Sequence, residues 1–347
     1  MTLAGAVAAI VFAGVIAYAV FGGADYGAGV WDLLAGRGPD GAARRHQVDR
    51  SIGPVWEANH VWLVFVLVFL WTGFPHGFAQ VATTLFVPLA LAGIGIVYRG
   101  AAFAFRKVAT TFGAARWFGA LFAGSSVVTP FFLGTVVGGV VSGRVPATGA
   151  GDALTSWLNP TSLLGGLLAV GTCAWSAAVL LAADSARTGE RGLAAWFGRR
   201  ALVAGVAVGA LALIGVAVLR ADAPTLADRL QGRGLALVVG SAVAGATALA
   251  LVARGRYASA RLPALVAVVA VVAGWGVAQY PWLLVDHVRI VDSAAPRATL
   301  VALLVAFAVA ALLVLPSLAL LLRYDDRGTL ADAMRADSSE AALTRDS

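Results

Sequence analysis

Apolar residues run through the chain in blocks of about 20, the length a helix needs to cross a bilayer at ~1.5 Å per residue. Short polar connections separate the blocks. The pattern predicts nine spans: Leu3–Leu34, Ile52–Phe74, Phe78–Phe105, Trp117–Val141, Trp157–Ala183, Ala201–Leu219, Leu235–Ala253, Leu262–Leu284 and Thr299–Leu322. The fold class expected is an all-α polytopic integral membrane protein of about nine transmembrane helices, arranged as two four-helix bundles plus one peripheral helix. Residues 1–323 read as a single transmembrane domain and residues 324–347 as a polar cytoplasmic tail. The N-terminal apolar block lacks a basic leading region, so it reads as a first span and not as a cleaved signal.

Composition supports this reading. Hydrophobic residues make up 60% of the 347 positions and charged residues 12%, whereas a soluble domain carries roughly 25% charged residues. The net charge of +7 does not point to nucleic acid, because the arginines are spread over the connections instead of forming a patch. They report orientation. With the N-terminus outside, eighteen basic residues fall on inner connections and the tail and six on outer connections, and Arg99 lies within a span. The excess of inner basic residues places the N-terminus outside and the C-terminus in the cytoplasm. Paired glycines such as Gly22-Gly23, Gly138-Gly139 and Gly165-Gly166 predict close helix packing. Trp31, Trp157, Trp196 and Trp282 sit near span ends, where interfacial belts account for them.

The candidate chemistry lies in the few charges inside spans, each costing ~2.5–3.5 kcal/mol on insertion scales. Asp25 stands in Gly22-Gly23-Ala24-Asp25-Tyr26-Gly27-Ala28-Gly29, and Asp32 lies seven residues on, where it reads as an interfacial charge. Glu57 and His60 share a helix face in Gly53-Pro54-Val55-Trp56-Glu57-Ala58-Asn59-His60. Counting helix rise from the inner ends places Asp25 about 16 Å and Glu57 about 9 Å into the membrane. Both fall in its inner half and can line one path. Buried carboxylates resist ionisation, which suits groups that take up and release protons near neutral pH. A static ion pair of either acid with Arg99 is the other reading. Of the four histidines only His60 lies in a span, and neither methionine does, so the chain offers no pair of axial haem ligands. Cys173 is the one cysteine, which excludes an internal disulfide.

The stretches Phe21-Gly22-Gly23-Ala24-Asp25-Tyr26-Gly27-Ala28-Gly29-Val30 and Arg50-Ser51-Ile52-Gly53-Pro54-Val55-Trp56-Glu57-Ala58-Asn59-His60-Val61-Trp62-Leu63 resemble the N-terminal signatures of subunit II of cytochrome bd-type quinol oxidases. Tyr98-Arg99-Gly100, Leu158-Asn159-Pro160-Thr161-Ser162 and Gln279-Tyr280-Pro281 extend the resemblance along the chain. It implies a haem-free subunit of a respiratory complex in the bacterial plasma membrane, one that oxidises ubiquinol or menaquinol and reduces O₂ to water. The b haems and haem d are then expected in subunit I, the heterodimer partner, with membrane lipids and a small accessory subunit as further partners. It also implies that Asp25 and Glu57 belong to a cytoplasmic proton route and that Arg99 stands near a structural quinone or pairs with an acid; His60 stands where other members carry Gln or Glu, and is read from its own chemistry as a further titratable group of that route. The competing reading from another class is a proton-coupled secondary transporter using the same acids.

Overall fold

The computed structural model describes residues 2–108 and 112–326, without the side chains of 52–58, 106–108, 112, 115, 314, 315 and 317–326. It divides into two units, Met1–Ala295 and Pro296–Ser347. In the first unit the helices are α1 (Leu3–Leu33), α2 (Gly38–Gly73), α3 (Pro75–Thr84), α4 (Phe86–Val108) and α5 (Phe112–Val141). They continue with α6 (Pro160–Arg187), α7 (Arg191–Asp222), α8 (Pro224–Gln231), α9 (Leu235–Ala253) and α10 (Tyr257–Gln279). A small antiparallel hairpin follows, β1 (Trp282–Leu284) against β2 (Val288–Arg289). Among the described residues the second unit contains one helix, α11 (Arg297–Asp326).

Among the described residues seven helices are long and apolar enough to cross a membrane. An eighth span results if Asn59–Gly73 and Pro75–Thr84, which meet at 117°, are taken as one broken crossing. The apolar part of α11, Arg297–Leu313, is shorter.

Two span boundaries differ from expectation. The apolar block Phe78–Phe105 is not one helix: the chain breaks at Leu85, so residues 78–84 belong to α3 and the crossing begins at Phe86. Pro88 stands in the first turn of α4, where a helix accepts a residue that cannot donate. The eighth block also stops short, because helix α10 ends at Gln279 and residues 282–284 form β1. Their apolar side chains are used for packing instead, and Leu284 and Val288 are buried with Leu85, Val145 and Trp157.

Side-chain caps mark the starts of two helices. The Asn159 side chain accepts from the Ser162 amide at 2.9 Å and caps α6, with Pro160 in its first turn. Thr2 caps α1 in the same way. Helix α2 begins with four mostly polar turns before its apolar part, yet Val48 in this half is buried in the main apolar cluster.

Helices α2, α1, α5 and α4 pack in that order into one group, and α6, α7, α9 and α10 close into a second. The groups meet where α6 lies against α5 and α1. Glycines make this seam possible. A Cβ at Gly134 would run into the Gly165 carbonyl, one at Gly138 into Ser162, and one at Gly27 into the Cys173 carbonyl. Backbones at this distance gain dispersion contacts that bulkier residues would forbid. The main apolar cluster sits beside the seam and includes Trp31, Trp175, Phe197 and Ala178.

Trp31, Trp157 and Trp196 are all buried. They are packing residues, and the interfacial belt expected of them is not what the fold makes. Trp31 donates to the Ala174 carbonyl at 2.8 Å, tying α1 to α6.

Contacts across the unit sort the connections by end. Arg50 donates to Thr188, Arg261 faces Asp184, and Arg44 and Arg200 both lie over Trp196. At the opposite end Arg144 pairs with Asp222, His287 meets the Gly143 carbonyl, and Thr225 donates to Asp286.

Candidate functional site

The site is built on α1, whose glycines let three helices approach one carboxylate. Gly22 faces Asn59 of α2, Gly23 faces Ser176 of α6, and Gly29 lies so close to Ser126 of α5 that a Cβ would overlap its hydroxyl. Asp25 projects into the space so formed and is 0% exposed.

Arg99 reaches the same space from α4 and is 1% exposed. Its Nη2 forms an ion pair with Asp25 Oδ1 and also donates to the Asp25 backbone carbonyl at 2.9 Å. Its Nη1 donates to Ser126 Oγ, which donates onward to the Phe122 carbonyl at 2.6 Å. The guanidinium carbon lies 4.4 Å from the Phe122 ring centre and 4.9 Å from that of Tyr26, so aromatic faces add to its stabilisation. The second carboxylate oxygen of Asp25 accepts from Asn59 Nδ2 at 3.1 Å. The Tyr26 hydroxyl lies 3.0 Å from that of Tyr18 and carries the polar cluster along α1.

The arrangement meets the demand that buried charges be paired and hydrogen-bonded. Three polar atoms around it have no hydrogen-bond partner among the described residues: Nε of Arg99, Oδ1 of Asn59 and Oγ of Ser176.

Of the residues predicted for the site, the structure joins Asp25 and Arg99 directly. The Glu57 side chain lies outside the described residues; its backbone is in α2, two residues before Asn59. His60 follows Asn59 on α2 and is half-buried. Successive helix positions point about 100° apart, so His60 and Asn59 face different directions. Asp32, in the last turn of α1, is buried and faces Arg45 Nε at 3.8 Å. Helix α1 thus offers one acid to an arginine in the interior and a second to an arginine at the end of the bundle.

Sequence reasoning missed Asn59, Ser126 and Tyr26 as members of the cluster. Asn59 stood beside the two residues singled out on α2, and an amide inside an apolar span was the available signal.

His46 lies in the polar first half of α2, His76 in the first turn of α3 and His287 between the hairpin strands, where Nε2 is 2.9 Å from the Gly143 carbonyl.

Comparison with known proteins gives a consistent picture. The family model of cytochrome bd terminal oxidase subunit II matches residues 3–324. The chain is 29% identical over 154 residues to the cytochrome bd ubiquinol oxidase subunit 2 of Bacillus subtilis strain 168, covering 44% of each chain. It is 30% identical over 166 residues to the cytochrome bd-I ubiquinol oxidase subunit 2 of Escherichia coli K12, covering 45% of this chain and 42% of that one. These alignments span less than half the length of the curated relatives. The fold is similar to the structure of bd oxidase from Geobacillus thermodenitrificans, with a TM-score of 0.71 and 25% identity over 93% of this chain and 98% of that chain. The apolar helices and these matches make it a multi-pass protein of a bacterial membrane. By the extent of the family match, the chain belongs to the cytochrome bd terminal oxidase subunit II family.

Proposed function

We propose that this chain is the haem-free second subunit of a quinol:oxygen oxidoreductase, packed against a subunit I that holds haem b and haem d, and that it delivers cytoplasmic protons towards that subunit. Quinol oxidation supplies the electrons, and each O₂ reduced to two waters takes up four electrons and four protons. The groups assigned to proton delivery are Glu57 and Asp25, with His60 as a further titratable group on the same face of α2 as Glu57. Arg99 positions Asp25. Residues 1–323 act as the membrane domain and 324–347 as a cytoplasmic tail, with the N-terminus outside. Membrane lipids and a small accessory subunit complete the assembly.

The observation that carries this reading is a fully buried carboxylate shared between α1, α2 and α4 in a chain of this family. Asn59 links Asp25 to α2, the helix whose backbone carries Glu57 two residues earlier. Intramembrane acids of this kind mark proton paths. The grouping of the arginine-rich segments 37–50, 187–200 and 254–261 at one end supports the orientation.

The test is Asp25→Asn and Glu57→Gln in the assembled complex, with quinol oxidase turnover and haem content measured on the same preparations. The expected result is turnover reduced at least tenfold with haem content retained. Wild-type turnover with wild-type haem content would sink the relay. Loss of haem would reassign both residues to assembly.

A further inference from the structure

Membrane proteins concentrate arginine on one side, so arginines at the other end of the bundle call for individual explanation. Five lie there in the first unit. Arg144 is paired with Asp222, and Arg220 donates to Gln231 Oε1 at 2.8 Å. The other three, Arg229, Arg233 and Arg289, have no carboxylate partner among the described residues. They nevertheless gather around one residue pair. The Arg229 and Arg289 guanidinium carbons lie 5.9 and 5.4 Å from the Trp282 ring centre, and the hairpin register places Arg289 opposite Trp282. Arg233 donates to the carbonyl of Tyr280, two residues earlier. The acid carried on the hairpin turn, Asp286, is engaged by Thr225 Oγ1 at 2.7 Å.

A second observation concerns hydrogen bonding. Nη1 of Arg229 and Nε1 of Trp282 are buried donors with no acceptor among the described residues. Buried donors in native proteins are matched in the great majority of cases. Here three cations and two unmatched donors share one small region, and all of them ask for a negatively charged acceptor. Leu235 and Val239, one turn apart on α9 just past Arg233, are exposed, as are Tyr280 and Val291. Apolar surface therefore continues directly from the cationic patch.

We propose that Arg229, Arg233, Arg289 and the Trp282 indole N–H form a site for the phosphate of an anionic phospholipid, with its acyl chains along the Leu235–Val239 side of α9. Guanidinium groups bind phosphate through paired N–H donors, and an indole with one apolar and one polar edge suits the membrane surface. Arg233 and Arg289 are exposed and can turn onto the phosphate; the donors on Arg229 and Trp282 are covered by protein, so their use requires the side chains over them to move aside.

The test is native mass spectrometry of the full-length chain in its co-purified assembly, titrated with phosphatidylglycerol and, separately, phosphatidylcholine. Wild type is expected to retain one more phosphatidylglycerol than the R229Q/R289Q variant, with about tenfold tighter binding, and to show no such difference for phosphatidylcholine. Inorganic phosphate at millimolar concentration is expected to leave the lipid in place. Displacement by inorganic phosphate would make this a free-anion site and overturn the lipid assignment. Equal retention by wild type and variant would leave the arginines a packing role only. W282F keeps the ring and removes the N–H donor. It is expected to weaken retention severalfold with an unchanged melting midpoint, and it decides the matter if the double variant does not assemble.

Discussion

Two of the arginine–aspartate pairs in this fold stand in contrasting surroundings. Arg99–Asp25 lies in the interior, with side chains 1% and 0% exposed. Arg144–Asp222 lies at the rim, with side chains 32% and 15% exposed. The rim pair has the better hydrogen-bond geometry: two parallel contacts of 3.1 and 2.5 Å, with Asp222 also accepting from the Thr161 amide at 3.1 Å and its hydroxyl at 2.6 Å. It closes the first turn of α6 and ties it to the end of α7. The interior pair relies instead on Asn59, Ser126 and two aromatic faces. At the rim, water and ions replace a lost partner. In the interior nothing does, so the cost of a broken pair is set by the medium more than by the bond.

The largest effect is expected from Asp25→Leu, which leaves the Arg99 charge in an apolar interior and costs about 3–5 kcal/mol. Yield of folded chain and the melting midpoint in detergent read this directly. The double variant D25L/R99M is expected to recover most of the loss, because no orphaned charge remains. If D25L costs no more than a substitution at Asp222, burial does not set the difference between the pairs. A smaller effect, about 1–3 kcal/mol, is expected from Gly29→Val. Its side chain displaces Ser126, and the Asp25–Arg99 coupling measured by a double-mutant cycle should fall in that background. Unchanged coupling would show that the close approach of α1 and α5 does not maintain the interior pair. The smallest is Asp222→Asn, about 1 kcal/mol. That loss should shrink further at 1 M salt, where exposed charges are screened within ~3 Å, while the cost of D25L stays the same. Equal salt sensitivity of the two would contradict the comparison.

Much of the architecture was legible from hydropathy, because the cost of placing a helix in lipid is a sum over its own residues. The block Leu235–Ala253 coincides with α9. The glycine pairs at 138–139 and 165–166 lie at or beside the α5–α6 seam, as close packing requires. The break at Leu85 was not legible, since apolar character continues across it and only Pro88 marks a helix start. Nor was the fate of Trp31, Trp157 and Trp196: an indole near a span end has the same sequence signature whether it faces lipid or a neighbouring helix.

The site divides along the same line. The insertion cost of charges drew attention to Asp25 and Arg99, and the family match across residues 3–324 favours the oxidase reading over a transporter. Asn59 and Ser126 drew none, because an uncharged amide or hydroxyl in a span costs little by itself. The sequence alone determined that several helices cross the membrane and that a few charges inside them need partners, since both follow from local free energies of transfer. Only the tertiary structure decided that Asp25 meets Arg99, Asn59 and, through Arg99, Ser126. That choice depends on four helices from distant parts of the chain coming within hydrogen-bond distance, which no sum over single segments contains.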